Sequence, residues 1–349
     1  MKKLINTIQL VKTLIRIYHG NNLHGKYHRM ASRLIKELLS QFELKNALNL
    51  PERTILKIQW YMASALWTCE FLNEMHGLKS TPKQQRMYLL SGSMMAISDI
   101  LVDDLESDME RVNALKCPDV NFLPESDLEL VYLKFYFEFF DEIDSNKLNN
   151  CKAYYERSYQ AQVDSKAQFD PSLSIQEINR LCVDKCGIGM LYLRSMIDAP
   201  VSSDEKSALY ELGAYIQFCN DTQDIYKDTK KGIRTMANSR AGLKELIHDL
   251  DGQKCRTFSM IKKSGFCRAR QHQLLFTFNV MGLGIIAKIR RLNEVCEGNY
   301  SLDKLVLLSK QNTRISVFNF SSFRFLFPKI IDFDFDTADR RFTYDWDFL

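Results

Sequence analysis

A chain of 349 residues, 46% of them hydrophobic, is long enough for one large domain or two small ones and can bury a sizeable core. Its 47 Lys and Arg against 43 Asp and Glu leave a net charge of +4 with no long basic run, so nucleic acid is not an expected partner. Nine scattered cysteines, odd in number and without a CxxC pair, fit reduced thiols in a cytoplasmic protein better than a disulfide framework or a zinc site.

The N-terminal stretch MKKLINTIQLVKTLIRIYHG is basic and partly apolar, but Lys12 and Arg16 interrupt it and no small-residue cleavage site follows. A signal peptide is therefore not expected, and without about 18 consecutive apolar residues neither is an integral membrane span. The stretch reads as an amphipathic helix packed on the domain, with peripheral membrane contact as the alternative. Apolar repeats at three- and four-residue steps place helices near 2–18, 26–46, 52–76, 82–110, 126–145, 150–167, 175–198, 204–229, 240–262, 268–297 and 301–311. Trp60, Ser64, Trp67 and Phe71 form one stripe; Met87, Leu90, Met94, Ile97 and Leu101 form another. Helix starts are marked by Thr81 before Pro82 and by the capping patterns Ser126-x-x-Glu129, Ser174-x-x-Glu177 and Ser202-x-x-Glu205. No Pro/Gly/Ser-rich linker and no internal repeat divides the series. The expectation is one all-α domain over 1–311, an antiparallel helical bundle around a central apolar cavity. Residues 312–349 are set apart as a divergent tail: from Phe318 onward it is rich in Phe, Asp and Arg, lacks helical periodicity, and reads equally as a wrapping or a disordered segment.

Two acidic clusters carry the chemistry. Asn220, Asp224 and Asp228 stand four residues apart, a spacing that stacks side chains on one helix face. Asp99, Asp103, Asp104 and Asp108 lie about 120 residues earlier. The stripe from Met87 to Leu101 continues by the same steps onto Asp104 and Asp108, and Leu209, Leu212 and Ile216 continue onto Asn220 and Asp224, so these groups are expected on buried faces. A buried carboxylate needs a counter-charge or a metal, and an all-oxygen column suits a hard cation such as Mg²⁺. Two apolar stripes ending in aspartates predict helices that line an apolar cavity with a metal-binding mouth for a diphosphate. The plainer reading of Asp99–Glu110 is a solvated acidic face.

The chain resembles the class I isoprenoid synthase superfamily, the all-α terpene synthases and trans-prenyltransferases. Asp103-Asp104-Leu105-Glu106-Ser107-Asp108 is similar to the first aspartate-rich motif, DDxxD, with one extra residue before the last Asp. Asn220 to Asp228 resembles NDxxSxxKE, with Asp224 in place of Ser and Asp228 in place of Glu. Gln217-x-x-Asn220-Asp221-x-x-Asp224 also resembles the prenyltransferase QxxDDxxD. Asp184-Lys185-Cys186-Gly187-Ile188-Gly189-Met190 looks like the segment in which Lys precedes small residues at a helix break. The likeness covers roughly residues 85–240.

The resemblance implies three Mg²⁺ ions held by Asp103, Asp104, Asp108, Asn220, Asp224 and Asp228, bridging both motifs to a prenyl diphosphate in the C15–C25 range. Lys227, Lys185, Arg234 and Gln217 would contact the diphosphate. Gly187 and Gly189 would open a helix toward the cation, close helix packing being the alternative, and Trp60, Trp67, Phe71, Phe135, Tyr132, Tyr136 and Phe139 are candidate cation-stabilising rings. After the first motif there is one arginine, Arg111, where chain elongation needs a basic second-diphosphate site, and the family's Arg-Tyr pair near the C-terminus has no clean counterpart, Arg290 and Arg291 being the available substitutes. This favours a terpene synthase that ionises and cyclises one substrate. A chain-elongating or head-to-head prenyltransferase is the alternative, a non-catalytic helical scaffold the lesser one, and homodimerisation is left open.

Overall fold

A computed structural model describes residues 2–22, 24–41, 50–104, 108–308 and 320–341, with the side chains of residues 17, 18, 21, 41, 103, 104, 320–323 and 325 outside that description. The fold is all-α, as expected, with no strand among the described residues. Its helices are α1 (Lys2–Asn21), α2 (Lys26–Gln41), α3 (Glu52–Met75), α4 (Pro82–Asp99), α5 (Met109–Ala114), α6 (Asp127–Glu142), α7 (Ser145–Asp164), α8 (Ile175–Ser195), α9 (Ser203–Lys231), α10 (Leu243–Lys263), α11 (Arg268–Val295), α12 (Leu302–Leu307) and α13 (Phe320–Ile331). The predicted caps start their helices. The Thr81 hydroxyl accepts from Gln84 N and Gln84 Oε1 accepts from Thr81 N, closing a reciprocal box. Ser174 and Glu177 form the same box, while Ser126 and Ser202 cap α6 and α9 from the side chain.

The helices fall into two compact units. An amino-terminal unit comprises Leu14–Lys166 and Leu191–Pro200; a carboxyl-terminal unit comprises Met1–Thr13, Ala167–Met190 and Val201–Leu349. In the amino-terminal unit α4 is the central helix, buried from Met87 to Asp99 at all but one position. The stripe Met87, Leu90, Met94, Ile97 and Leu101 is buried, as its spacing predicts. The stripe on α3 is not continuous: Ser64 is exposed and Trp60 and Trp67 are half-buried, because Ile58, Met62, Leu66, Cys69 and Leu72 form the packed face instead. Arg86 ties α4 to its neighbours through Glu37, Glu138 and Glu142 at 2.6–2.8 Å.

In the carboxyl-terminal unit α9 packs against α8, α10 and α11. On α10, Gln253 Nε2 donates to Glu211 Oε2 at 2.7 Å and the Thr257 hydroxyl to the Glu211 carbonyl at 3.0 Å. The tail departs from expectation. Residues 320–331 are helical, and Leu326, Ile330 and Phe333 at four- and three-residue steps are buried. Phe333 packs edge-on to His272 and Phe276, both at 5.5 Å. The acidic residues that masked this periodicity are pinned outside it: Asp332 to Lys3, Asp334 to Lys2, Asp336 to Arg268 and Asp339 to Lys262, at 2.6–2.9 Å.

Both aspartate-bearing helices meet a neighbour at a glycine. A Cβ on Gly92 of α4 would stand 2.6 Å from the Tyr61 carbonyl oxygen and 2.7 Å from Met62 Cα of α3. A Cβ on Gly213 of α9 would stand 2.5 Å from the Cys186 carbonyl oxygen and 2.7 Å from Gly187 Cα of α8. Only a residue without a side chain lets the backbones approach so closely. Each crossing lies about two turns before a group of carboxylates, and so sets which neighbouring side chains reach them.

Candidate functional site

The first cluster is divided among different jobs. Asp99, at the end of α4, is buried, and its Oδ2 takes the Lys57 ammonium at 2.9 Å and the Tyr61 hydroxyl at 2.9 Å, both from α3. It is a neutralised structural carboxylate. Ile100–Asp104 is then a π-helical turn, an irregularity rare in helices and frequent at functional sites. Lys166 Nζ donates to the Val102 carbonyl at 3.0 Å within that turn. Asp103 and Asp104 belong to it; Leu105, Glu106 and Ser107 lie outside the described residues. Asp108 is not on the buried face. It is exposed and caps α5, accepting from Glu110 N at 3.0 Å. The helical register that would have buried it ends with the π turn, so extrapolating the α4 stripe fails there. Arg111 is engaged by Glu129 in a two-pronged pair at 2.8 and 2.6 Å and by Glu125 at 2.9 Å.

On α9 the column of fours spirals around the helix. Asn220 is exposed, Asp224 half-buried and Asp228 buried. Each four-residue step overshoots a 3.6-residue turn by about 40°. The line that stays buried alternates four and three: Ala214, Phe218, Asp221, Ile225 and Asp228. The expectation that Asn220 and Asp224 share the buried face with Leu212 is corrected accordingly, and Asp221 takes that place.

These carboxylates are electrostatically unlike Asp99. Burial pushes the Asp221 carboxyl up to about 6, against hydrogen bonds from Gln217 Nε2 at 2.6 Å and Met236 N at 3.1 Å. Burial, with the negative charge of Asp224 next, pushes Asp228 up to about 7. Lys227 pairs with Asp224 at 3.0 Å, and Lys185 of α8 opposes the upward shift at both Asp221 and Asp228. Lys288 of α11 is buried, donates to the Gln223 carbonyl, and is pushed down by burial against the pull of Asp224. Three lysines from three helices thus surround three aspartates.

Comparison with family models, curated proteins and solved structures returns no match.

Other residues marked in the sequence are placed differently. The guanidinium of Arg234 donates to the carbonyls of Pro171 at 2.9 Å and Leu173 at 2.6 Å, so it closes the turn before α8. Gln217 holds Asp221. Helix α8 runs unbroken through Gly187 and Gly189, both buried, and Gly187 serves the crossing with α9; the expected helix break is absent there. Arg290 and Arg291 both pair with Glu294 at 3.2 Å. Trp60 stands edge-on to His28 at 4.3 Å, and Phe71 stacks on Trp67 at 5.8 Å with the Arg16 guanidinium 5.7 Å from its ring centre. Phe135 is buried. Tyr132, Tyr136 and Phe139 are core rings of the amino-terminal unit, in edge or tilted contact with Tyr155, Tyr159 and Tyr192. Lys288 is the residue that motif reading missed. Its signal is a lone lysine in the apolar run Gly282-Leu-Gly-Ile-Ile-Ala-Lys288-Ile289.

Among the described residues no three His, Cys, Asp or Glu side chains form a metal-holding group. Asn220 with Asp224 and Asp228 offers an amide oxygen and two carboxylates. That set fits Mg²⁺, which is commonly held by one or two carboxylates with waters and substrate phosphate completing the shell.

Proposed function

We propose that this chain is a class I isoprenoid synthase of the terpene-synthase type. It ionises an allylic prenyl diphosphate, cyclises or rearranges the carbocation, and releases pyrophosphate. The observation that carries the reading is the oxygen-only column Asn220–Asp224–Asp228, which turns from solvent into the protein among Lys185, Lys227 and Lys288. Carboxylates raised by burial and mutual repulsion favour a cation, and ammonium groups beside them favour phosphate oxygens. Mg²⁺ held by Asn220, Asp224 and Asp228 would supply charge neutralisation for the departing diphosphate. Lys227 and Lys185 hold the diphosphate as donors, Lys288 balances Asp224 from the buried side, and Gln217 fixes Asp221.

The test is purified protein with prenyl diphosphates of 10, 15, 20 and 25 carbons, reading pyrophosphate release and hydrocarbon product with and without Mg²⁺. Turnover that needs Mg²⁺ and falls about 10³-fold in Asp224→Ala and Asp228→Ala is the expected result. Absence of turnover on all four substrates overturns the reading. Longer prenyl chains on adding isopentenyl diphosphate replace it with chain elongation. Mg²⁺-dependent pyrophosphate binding that Asp224→Ala leaves unchanged replaces it with a non-catalytic scaffold.

A further inference from the structure

The net charge of the chain conceals a strong asymmetry. The first 36 residues carry eight of the 47 Lys and Arg and none of the 43 Asp and Glu, which leaves 39 against 43 for the rest. Within this basic segment, α1 is oriented against the usual rule for surface helices, which bury the apolar face. Its buried side holds Asn6, Leu10 and Thr13, and Asn6 Nδ2 donates to the carbonyls of Ile331 and Phe333 at 2.9 and 2.8 Å. The opposite side is Leu4, Ile8, Val11 and Ile15, which at helical spacing fall within an arc of about 60°. All four face solvent, from 48% exposed at Ile8 to 65% at Leu4. Lys12 is exposed and flanks the stripe.

On α2, Lys26, Arg29, Arg33 and Lys36 recur at three- and four-residue steps and are all exposed. Lys2 and Lys3 pair with Asp334 and Asp332 at exposed positions, where such pairs contribute little and exchange with other anions. An exposed apolar stripe in a segment without a single acid is complementary to a surface that is apolar beneath and anionic above. We propose that α1 docks this protein on an anionic lipid bilayer, the stripe Leu4–Ile8–Val11–Ile15 entering the headgroup boundary with Lys12 beside it. A second copy of the chain is a poorer occupant, because α1 offers its twin the same positive charge and no acidic complement.

Docking, not spanning, is the mode. Helix α11 is long and apolar enough to cross a membrane, but 78% of its apolar window is buried in the protein, as befits a core helix. This inference is independent of the diphosphate site and stands or falls separately.

Vesicle flotation tests it, using the full chain with phosphatidylcholine vesicles and with vesicles that also contain phosphatidylserine. Binding is expected to the anionic vesicles and to weaken with salt. Ile8→Asp with Val11→Asp should reduce binding at least about tenfold, and Lys12→Glu at least about fivefold, since a basic residue near such a surface contributes about 1 kcal/mol. Helicity by circular dichroism should be unchanged, all three positions being exposed. No binding to the anionic vesicles overturns the proposal, as does undiminished binding of the Ile8/Val11 double variant. A dimer in solution that this variant dissociates, with no flotation of either protein, replaces the bilayer with a second copy.

Discussion

The ends of α4 and α9 begin alike and finish differently. Each is a long helix locked to its neighbour at a glycine, Gly92 of α4 against α3 and Gly213 of α9 against α8, and each reaches acidic residues about two turns later. On α4 the crossing delivers Lys57 and Tyr61 onto the first carboxylate, Asp99, and neutralises it; the helix then widens into a π turn and restarts at the Asp108 cap. On α9 the helix continues without a break, and Asp221 and Asp228 enter the interior with no ion pair of that kind among the described residues. The lesson is that density of acidic residues does not define a site. What distinguishes the two regions is whether the protein has already compensated the charge.

That contrast breaks most visibly in pH dependence. Asp228 has a folded value of about 7 against about 4 unfolded, so the native state binds the proton more tightly. Stability from this group is present below pH 4 and is lost as pH rises to about 7, on the order of 4 kcal/mol. In EDTA, urea melts of Asp228→Asn and the parent chain should diverge over that window, the variant gaining with pH, and Mg²⁺ should narrow the gap. Parallel curves would dissolve the difference between the two regions. Asp99→Ala tests the other side. Removing it deletes the buried ion pair with Lys57 and the hydrogen bond from Tyr61 and should cost about 3 kcal/mol, with Mg²⁺-dependent pyrophosphate binding unaltered. Loss of that binding at equal stability would restore Asp99 as a ligand. The smallest effect is expected at Asp108. Alanine should cost about 1 kcal/mol by removing the α5 cap, while asparagine, an equally good cap, should leave stability at the parent value. An asparagine variant as destabilised as the alanine one would show that charge, rather than capping, is what Asp108 provides.

The helices themselves were legible because their signals are local. Thr81-Pro82, the three Ser-x-x-Glu boxes and the three-and-four apolar steps act within one or two turns, and they place α3 and α6 to α11 within about five residues, whereas the helix expected over 82–110 gives way after Asp99 to the π turn. Two local readings failed where geometry accumulates over distance. A strict run of fours drifts off its face, which exposes Asn220 and promotes Asp221, and the π turn ends the register that was to carry Asp108 inward. The tail hides its helix in another way: α13 carries Pro328 within it, a residue that reads as a helix breaker, and the buried line Leu326–Ile330–Phe333 runs on past its end among aspartates.

The sequence by itself determined the all-α class, most of the helix boundaries outside the α4–α5 stretch and the tail, and the residue types able to hold a hard cation, because backbone hydrogen bonding and side-chain spacing are encoded in neighbours. Only the tertiary structure decided which carboxylates are compensated. Lys57 reaches Asp99 across 42 positions and Lys288 bears on Asp224 across 64, through crossings that no local pattern records. Charge in a protein interior is governed by those distant partners, since burial makes an unpaired carboxylate costly wherever the chain happens to supply one.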